Sequence, residues 1–180
     1  MWLAAAAAWG LAEATLFFVV PDVLLSWLAG FRPRVAWPAV LACLAGALLG
    51  GVTLYLAAAA APQGMRALLD HVPAVSGALV AETGAALQAD YGTQMLRAGF
   101  SGVPYKILAV ESGAQGQGLA AFLAWSIPAR LSRWVLVVLL ARGVARFVRA
   151  RTAQPDRVLW ALWATGWGIV YVVYFTVMGW

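Results

Sequence analysis

The chain has 180 residues, of which 64% are hydrophobic and 11% charged, with a formal net charge of +5 and a mean hydropathy of +0.84. An ordinary soluble domain holds about 45–50% apolar and about 25% charged residues, so this composition excludes a large water-solvated core and fits a chain solvated mostly by lipid. The basic residues are scattered through apolar sequence, which argues against a nucleic-acid partner and for membrane topology together with an anionic ligand.

In chain order, the first element is Gly10 to Phe31, which is apolar but broken by Glu13 and by Pro21-Asp22, and is followed by Arg32 and Arg34. Val35 to Ala61 carries no charge and is the cleanest membrane span, since a full crossing needs about 20 apolar residues. Its Ala42-xxx-Gly46-xxx-Gly50 ladder predicts close packing of another helix. Residues 62–96 are more polar, are divided by Pro73, and read as helices at the interface or over the bundle. Arg97 to Gly116 is a second broken stretch, with Gly102, Pro104, Lys106, Glu111 and Gly113. Leu119 to Ala141 is long enough to span but contains Pro128, Arg130 and Arg133. A basic loop from Arg142 to Arg157 then precedes a third span, Val158 to Trp180, and the positive-inside rule makes that loop cytoplasmic.

Each broken stretch has the size of two short helical arms meeting at a proline turn. Backbone of that kind is tolerated at membrane depth only where protein buries it or a wet cavity borders it. Two hairpin-plus-span units (10–61 and 97–147) follow, and the charge pattern gives them opposite orientations, an arrangement common among transporters. The expected fold is therefore a single all-α integral membrane domain, 1–180: two inverted re-entrant hairpin-plus-span units, interfacial helices between them, and an extra C-terminal span.

The charges divide unevenly between the units. The first supplies Glu13 and Asp22; the second supplies Arg97, Lys106, Arg130 and Arg133, with Glu111 as the exception. Arg97 and Lys106 flank a proline turn, so they are expected to approach each other near its tip, while Arg130 and Arg133 share a helical face. These four cations are candidates for an anionic lipid headgroup; the competing reading for Arg130 and Arg133 is snorkelling or pairing with Glu13, Asp22 or Glu111. Glu13, amid Leu11, Leu16, Phe17 and Phe18, suits either a proton carrier or a static ion pair, and Asp22 either a charge balance or a helix N-cap. Arg66 and Asp70, at i and i+4, read as a surface pair. His71 stands alone, so no metal is expected, and no glycine motif or nucleophile elbow points to a cofactor or to an enzyme. Cys43, the single cysteine, reads as inert packing, and the start of the chain lacks the basic region of a cleaved signal peptide.

In order along the chain, Glu13 with Pro21-Asp22, the Gly46-Gly50-Gly51-Tyr55 span, Arg97-Phe100-Pro104-Tyr105-Lys106 running to Gly113, and the Arg130/Arg133 pair resemble the DedA family, whose core is the VTT (SNARE-associated) domain. The resemblance covers roughly Gly10 to Phe147 and is nearest the short YqaA-like branch. It implies two opposed re-entrant hairpins in a bacterial-type inner membrane and movement of lipids across the bilayer, undecaprenyl phosphate among them, by flipping or scrambling. It implies an essential acidic pair at Glu13 and Asp22 and an essential basic pair nearest Arg97 and Lys106. Lys106 stands where many members have arginine, and Glu111 where a small neutral residue is usual. The expected partners are membrane lipids, and a homo-oligomer is compatible with the sequence. The rival functions are an assembly factor without transport and an intramembrane lipid-phosphate enzyme.

Overall fold

A computed structural model describes residues 1–15, 17–73 and 75–178, apart from the Met178 side chain. Leu16, expected beside Glu13, and the last two residues of the expected C-terminal span lie outside the described residues. Within them the fold is all-helical: α1 (Trp2–Thr15), α2 (Asp22–Phe31), α3 (Pro33–Ala60), α4 (Pro62–Leu69), α5 (Gly77–Ala89), α6 (Tyr91–Ser101), α7 (Tyr105–Ala114), α8 (Leu119–Arg151) and α9 (Pro155–Met178). By length and composition α3 and α9 can each cross a bilayer; their 28 and 24 residues rise about 42 and 36 Å against a hydrocarbon core of about 30 Å.

The first hairpin is longer than the sequence suggests. Its outer arm starts at Trp2 because the alanine run before Gly10 is strong helix former, and the Trp2 ring meets Trp27 of the returning arm at 5.1 Å. Pro21 lets α2 start at Asp22, and Pro33 opens α3 directly after Arg32. The second hairpin has arms α6 and α7. Gly102 at its turn has φ +84°, a left-handed conformation that glycine adopts without penalty, and Tyr91 Oη meets Ser112 Oγ at 2.8 Å where the arms end. Asp90 caps α6 on the Thr93 N–H at 3.1 Å. Hydrogen bonds from the Thr93 hydroxyl and N–H hold the Asp90 carboxyl below the ordinary carboxylate range, so the cap persists at neutral pH and is lost as pH falls.

Both hairpins lie on α3 through glycine. A Cβ on Gly10 would strike the Cys43 carbonyl, and one on Gly46 the Ala7 carbonyl, so α1 and α3 touch backbone to backbone. A Cβ on Gly113 of α7 would strike the Tyr55 carbonyl of α3. Arg142 of α8 donates to the Pro33 carbonyl (3.2 Å) near the start of α3, while Tyr55 stacks on Phe122 (5.4 Å) near its end. The two long helices therefore run antiparallel.

One boundary differs in kind. The expected span ending at Ala141 continues without interruption to Arg151, because arginine and alanine favour helix and no proline intervenes before Pro155. Arg142, Arg146, Arg149 and Arg151 thus ride on a helix, and only residues 152–154 form the connection. Arg149 donates to the Gly30 carbonyl at 2.9 Å, at the negative end of the α2 dipole. Arg32 and Arg34 join this same basic end.

Candidate functional site

The tips of the two hairpins meet beside the middle of α8. Lys106, in the first turn of α7, reaches the Phe17 carbonyl in the turn after α1, with Nζ donating at 2.9 Å. Around this contact lies a cavity of about 160 Å³ bordered by Glu13, Asp22, Tyr105, Lys106, Arg130 and Arg133, with Trp167 and Tyr171 of α9 closing one side.

Two ion pairs cross it. Arg133 Nε donates to Asp22 Oδ1 at 2.8 Å. Arg130 Nη2 stands 2.9 Å from Glu13 Oε2, an ion-pair distance, yet the two groups are off line, so Arg130 Nε, Arg130 Nη2 and Glu13 Oε2 make no hydrogen bond to another protein group. The Arg130 guanidinium instead lies over the Tyr105 ring, 3.8 Å from its centroid, and 5.2 Å from that of Trp134. Tyr105 is fixed by its hydroxyl on Ser126 Oγ (3.0 Å) and by Gly51, where a Cβ would occupy the place of the ring. The pairing reading of Arg130 and Arg133 thus describes their geometry, and the Asp22 carboxylate faces Arg133 without capping α2.

The charge count is the salient property. Among the residues bordering the cavity, three cations (Lys106, Arg130, Arg133) face two carboxylates (Glu13, Asp22), a formal excess of +1. Lys106 is 2% exposed and has only a neutral carbonyl on its ammonium. An isolated ammonium out of water is costly, and at an effective dielectric constant of about 20 an opposite charge at 4 Å recovers about 4 kcal/mol. The cavity is thus bordered by the undirected N–H groups of Arg130 and by a lysine ammonium with no carboxylate on it.

Two expected site residues lie elsewhere. Arg97 is exposed on α6 and does not border the cavity that Lys106 borders, because the buried positions Met95 and Ala98 turn it outward. Glu111 does not border the cavity. Its carboxylate receives Arg66 Nε and Nη2, both at 2.7 Å, in a bidentate fork between α7 and α4, and Gln115 Nε2 at 3.2 Å. Gly84 leaves room for it: a Cβ there would lie 2.7 Å from Glu111 Oε2. The partner of Arg66 is thus Glu111 and not Asp70. Since the Glu111 side chain is 3% exposed and that of Arg66 43%, removing either partner has unequal effects. Arg66→Gln strands a buried carboxylate and is expected to cost about 3 kcal/mol, whereas Glu111→Gln leaves a hydrated guanidinium and should cost well under that. Thermal unfolding of the two variants in detergent compares them directly.

Residues of α9 complete the site without having been expected there. Tyr171 Oη accepts the Val20 N–H at 3.0 Å, and Trp163 and Trp167 donate their indole N–H to Ser26 Oγ at 3.2 and 3.0 Å. The signal was available in the run Trp160, Trp163, Trp167, Tyr171, Tyr174, whose spacing sets aromatic rings along one helical face. Among the described residues no three His, Cys, Asp or Glu side chains converge as a metal site would require. No family model, curated protein or solved structure matches the chain.

Proposed function

We propose that the chain is an integral membrane protein that moves an anionic, phosphate-bearing lipid between leaflets, as its resemblance to the DedA family implies. The observation that carries this reading is the buried cavity with three cations against two carboxylates at the meeting point of two helical hairpins. In a membrane, hairpins whose tips meet between the ends of the antiparallel α3 and α8 are re-entrant, and the irregular backbone at those tips borders the cavity. The concentration of Arg32, Arg34 and the arginines of α8 at one end makes that end cytoplasmic. The headgroup meets Lys106 and Arg130 first; protonation of Glu13 would release Arg130 from its carboxylate and couple the step to a proton.

Vesicles reconstituted with wild-type protein are expected to move polyprenyl phosphate or fluorescent phospholipid between leaflets. Lys106→Gln should slow movement by about an order of magnitude or more, equivalent to about 1.4 kcal/mol of lost stabilisation. Arg97→Ala, outside the cavity, should leave the rate unchanged. A correctly folded wild type that moves neither lipid would favour an assembly factor, a reading for which one observation speaks: the pairs Arg130–Glu13 and Arg133–Asp22 also tie the first hairpin to α8 as static clamps.

A further inference from the structure

Two buried glutamates each stand beside an arginine, and the two pairs differ in kind. Glu111 receives a fork from Arg66, with Nε and Nη2 both at 2.7 Å. A guanidinium and a carboxylate adopt that arrangement when the arginine can turn to face the acid. Glu13 is buried as well, and Arg130 Nη2 stands only 2.9 Å from its Oε2, yet no aligned hydrogen bond joins them. Orientation, and not distance, separates the two cases.

Tyr105 sets the orientation of Arg130. The guanidinium carbon lies over its ring, 3.8 Å from the centroid, and an aromatic face attracts the flat side of a guanidinium. The plane of Arg130 is therefore tied to the plane of Tyr105. The ring in turn has no room to follow Arg130 toward Glu13. Its hydroxyl donates to Ser126 Oγ at 3.0 Å, and Phe122 stacks on it at 5.9 Å with the planes 18° apart. On another side the backbone of Gly51 leaves the space the ring fills, since a Cβ there would lie 2.6 Å from the Tyr105 hydroxyl oxygen. Ser126 is fully buried and stands one turn before Arg130 on α8, so the helix that carries the guanidinium also anchors the ring beneath it.

We propose that Tyr105, anchored by Ser126, is a positioning residue that keeps Arg130 from closing a fork on Glu13, so that Nε and Nη2 stay open to an anion in the cavity. This role rests on the anion site of the transport reading and explains why that site is not quenched by its own carboxylate. Neighbours at the start of α7 then divide the work: Lys106 is a donor, and Tyr105 keeps a second donor available.

The test is equilibrium binding of methyl phosphate to the full chain in nanodiscs, with Glu13 present and in a Glu13→Gln background. Tyr105→Leu is expected to weaken binding by about tenfold where Glu13 is present, because the released guanidinium forks onto the acid. In the Glu13→Gln background the same substitution should change binding by no more than about twofold, since a neutral amide does not capture the arginine. Ser126→Ala, which keeps the ring and is the milder change to the fold, should cost about threefold with Glu13 present, the effect of one lost hydrogen bond. Side-chain NMR supplies a readout that needs no ligand. The Arg130 Nε–H signal, assigned by its loss in Arg130→Lys, should move to a hydrogen-bonded position in Tyr105→Leu. A monodisperse elution profile checks that each variant is folded. Equal losses of binding in both backgrounds, or an unmoved Nε–H signal, overturn the positioning role and leave the anion site standing. A wild type that binds no methyl phosphate overturns the anion site, and the positioning role with it.

Discussion

Glu13→Gln is expected to destabilise the protein more than Arg130→Gln, although the two residues form one ion pair. Truncating one partner of a buried pair costs about 3–5 kcal/mol because the other is left uncompensated. Here the cavity already holds an excess of +1. Removing the acid raises the excess to +2, whereas removing the arginine brings it to zero. Arg130→Gln still sacrifices the guanidinium contact with Tyr105 and Trp134, worth about 2 kcal/mol when desolvated. Glu13→Gln should therefore fall in the 3–5 kcal/mol range and Arg130→Gln at or below its lower edge. Unfolding in detergent measures the order, and added inorganic phosphate should stabilise Glu13→Gln more than wild type because the anion replaces the missing carboxylate. The reverse order of the two variants would mean that the excess positive charge is neutralised by some other group.

The second large effect concerns the α1–α3 contact. Gly46→Leu drives a side chain into the main-chain carbonyl of Ala7, where no rotamer change relieves the overlap, and the helices must separate. Overpacking of this kind costs about 1–3 kcal/mol and occasionally more; with backbone as the obstacle, the upper end is expected. Gly143→Ala provides the contrast. It lies in a helix with open space around it, so it should gain about 0.5–1 kcal/mol from helix propensity alone. If both substitutions prove neutral, α1 is not held against α3 by close backbone approach.

Much of this architecture is readable from the residues. Charge-free sequence after Arg34 marks α3, Pro21 and Pro104 mark the two turns, and the Gly46/Gly50 spacing marks the contact with α1. Glu13, Asp22, Lys106, Arg130 and Arg133 stand out as ionisable groups in apolar surroundings, and all five border one cavity. Arg97 is different, since its fate depends on the rotational phase of α6. The periodicity of α6 places Met95 and Ala98 on its inward side and Arg97 across from Met95, a phase that reasoning from the proline turn alone leaves out of account. Partner choice across the fold, by contrast, is not legible. Asp70 is the local option for Arg66, but Glu111, 45 residues away, wins because it is buried and accepts both arms of the fork. The length of α8 was obscured by reading a run of arginines as a loop signal, when arginine is also a good helix former.

The bond between the Val20 N–H and Tyr171 also orders events in time. These residues are 151 positions apart, so the turn that carries Phe17, the acceptor for Lys106, takes one of its contacts from a helix made much later. During synthesis the N-terminal segment emerges first. Trp9 can hold the Val19 carbonyl as soon as the first hairpin is made, but the Tyr171 acceptor follows only 151 residues after Val20, so the cavity that both hairpins and α9 border closes late.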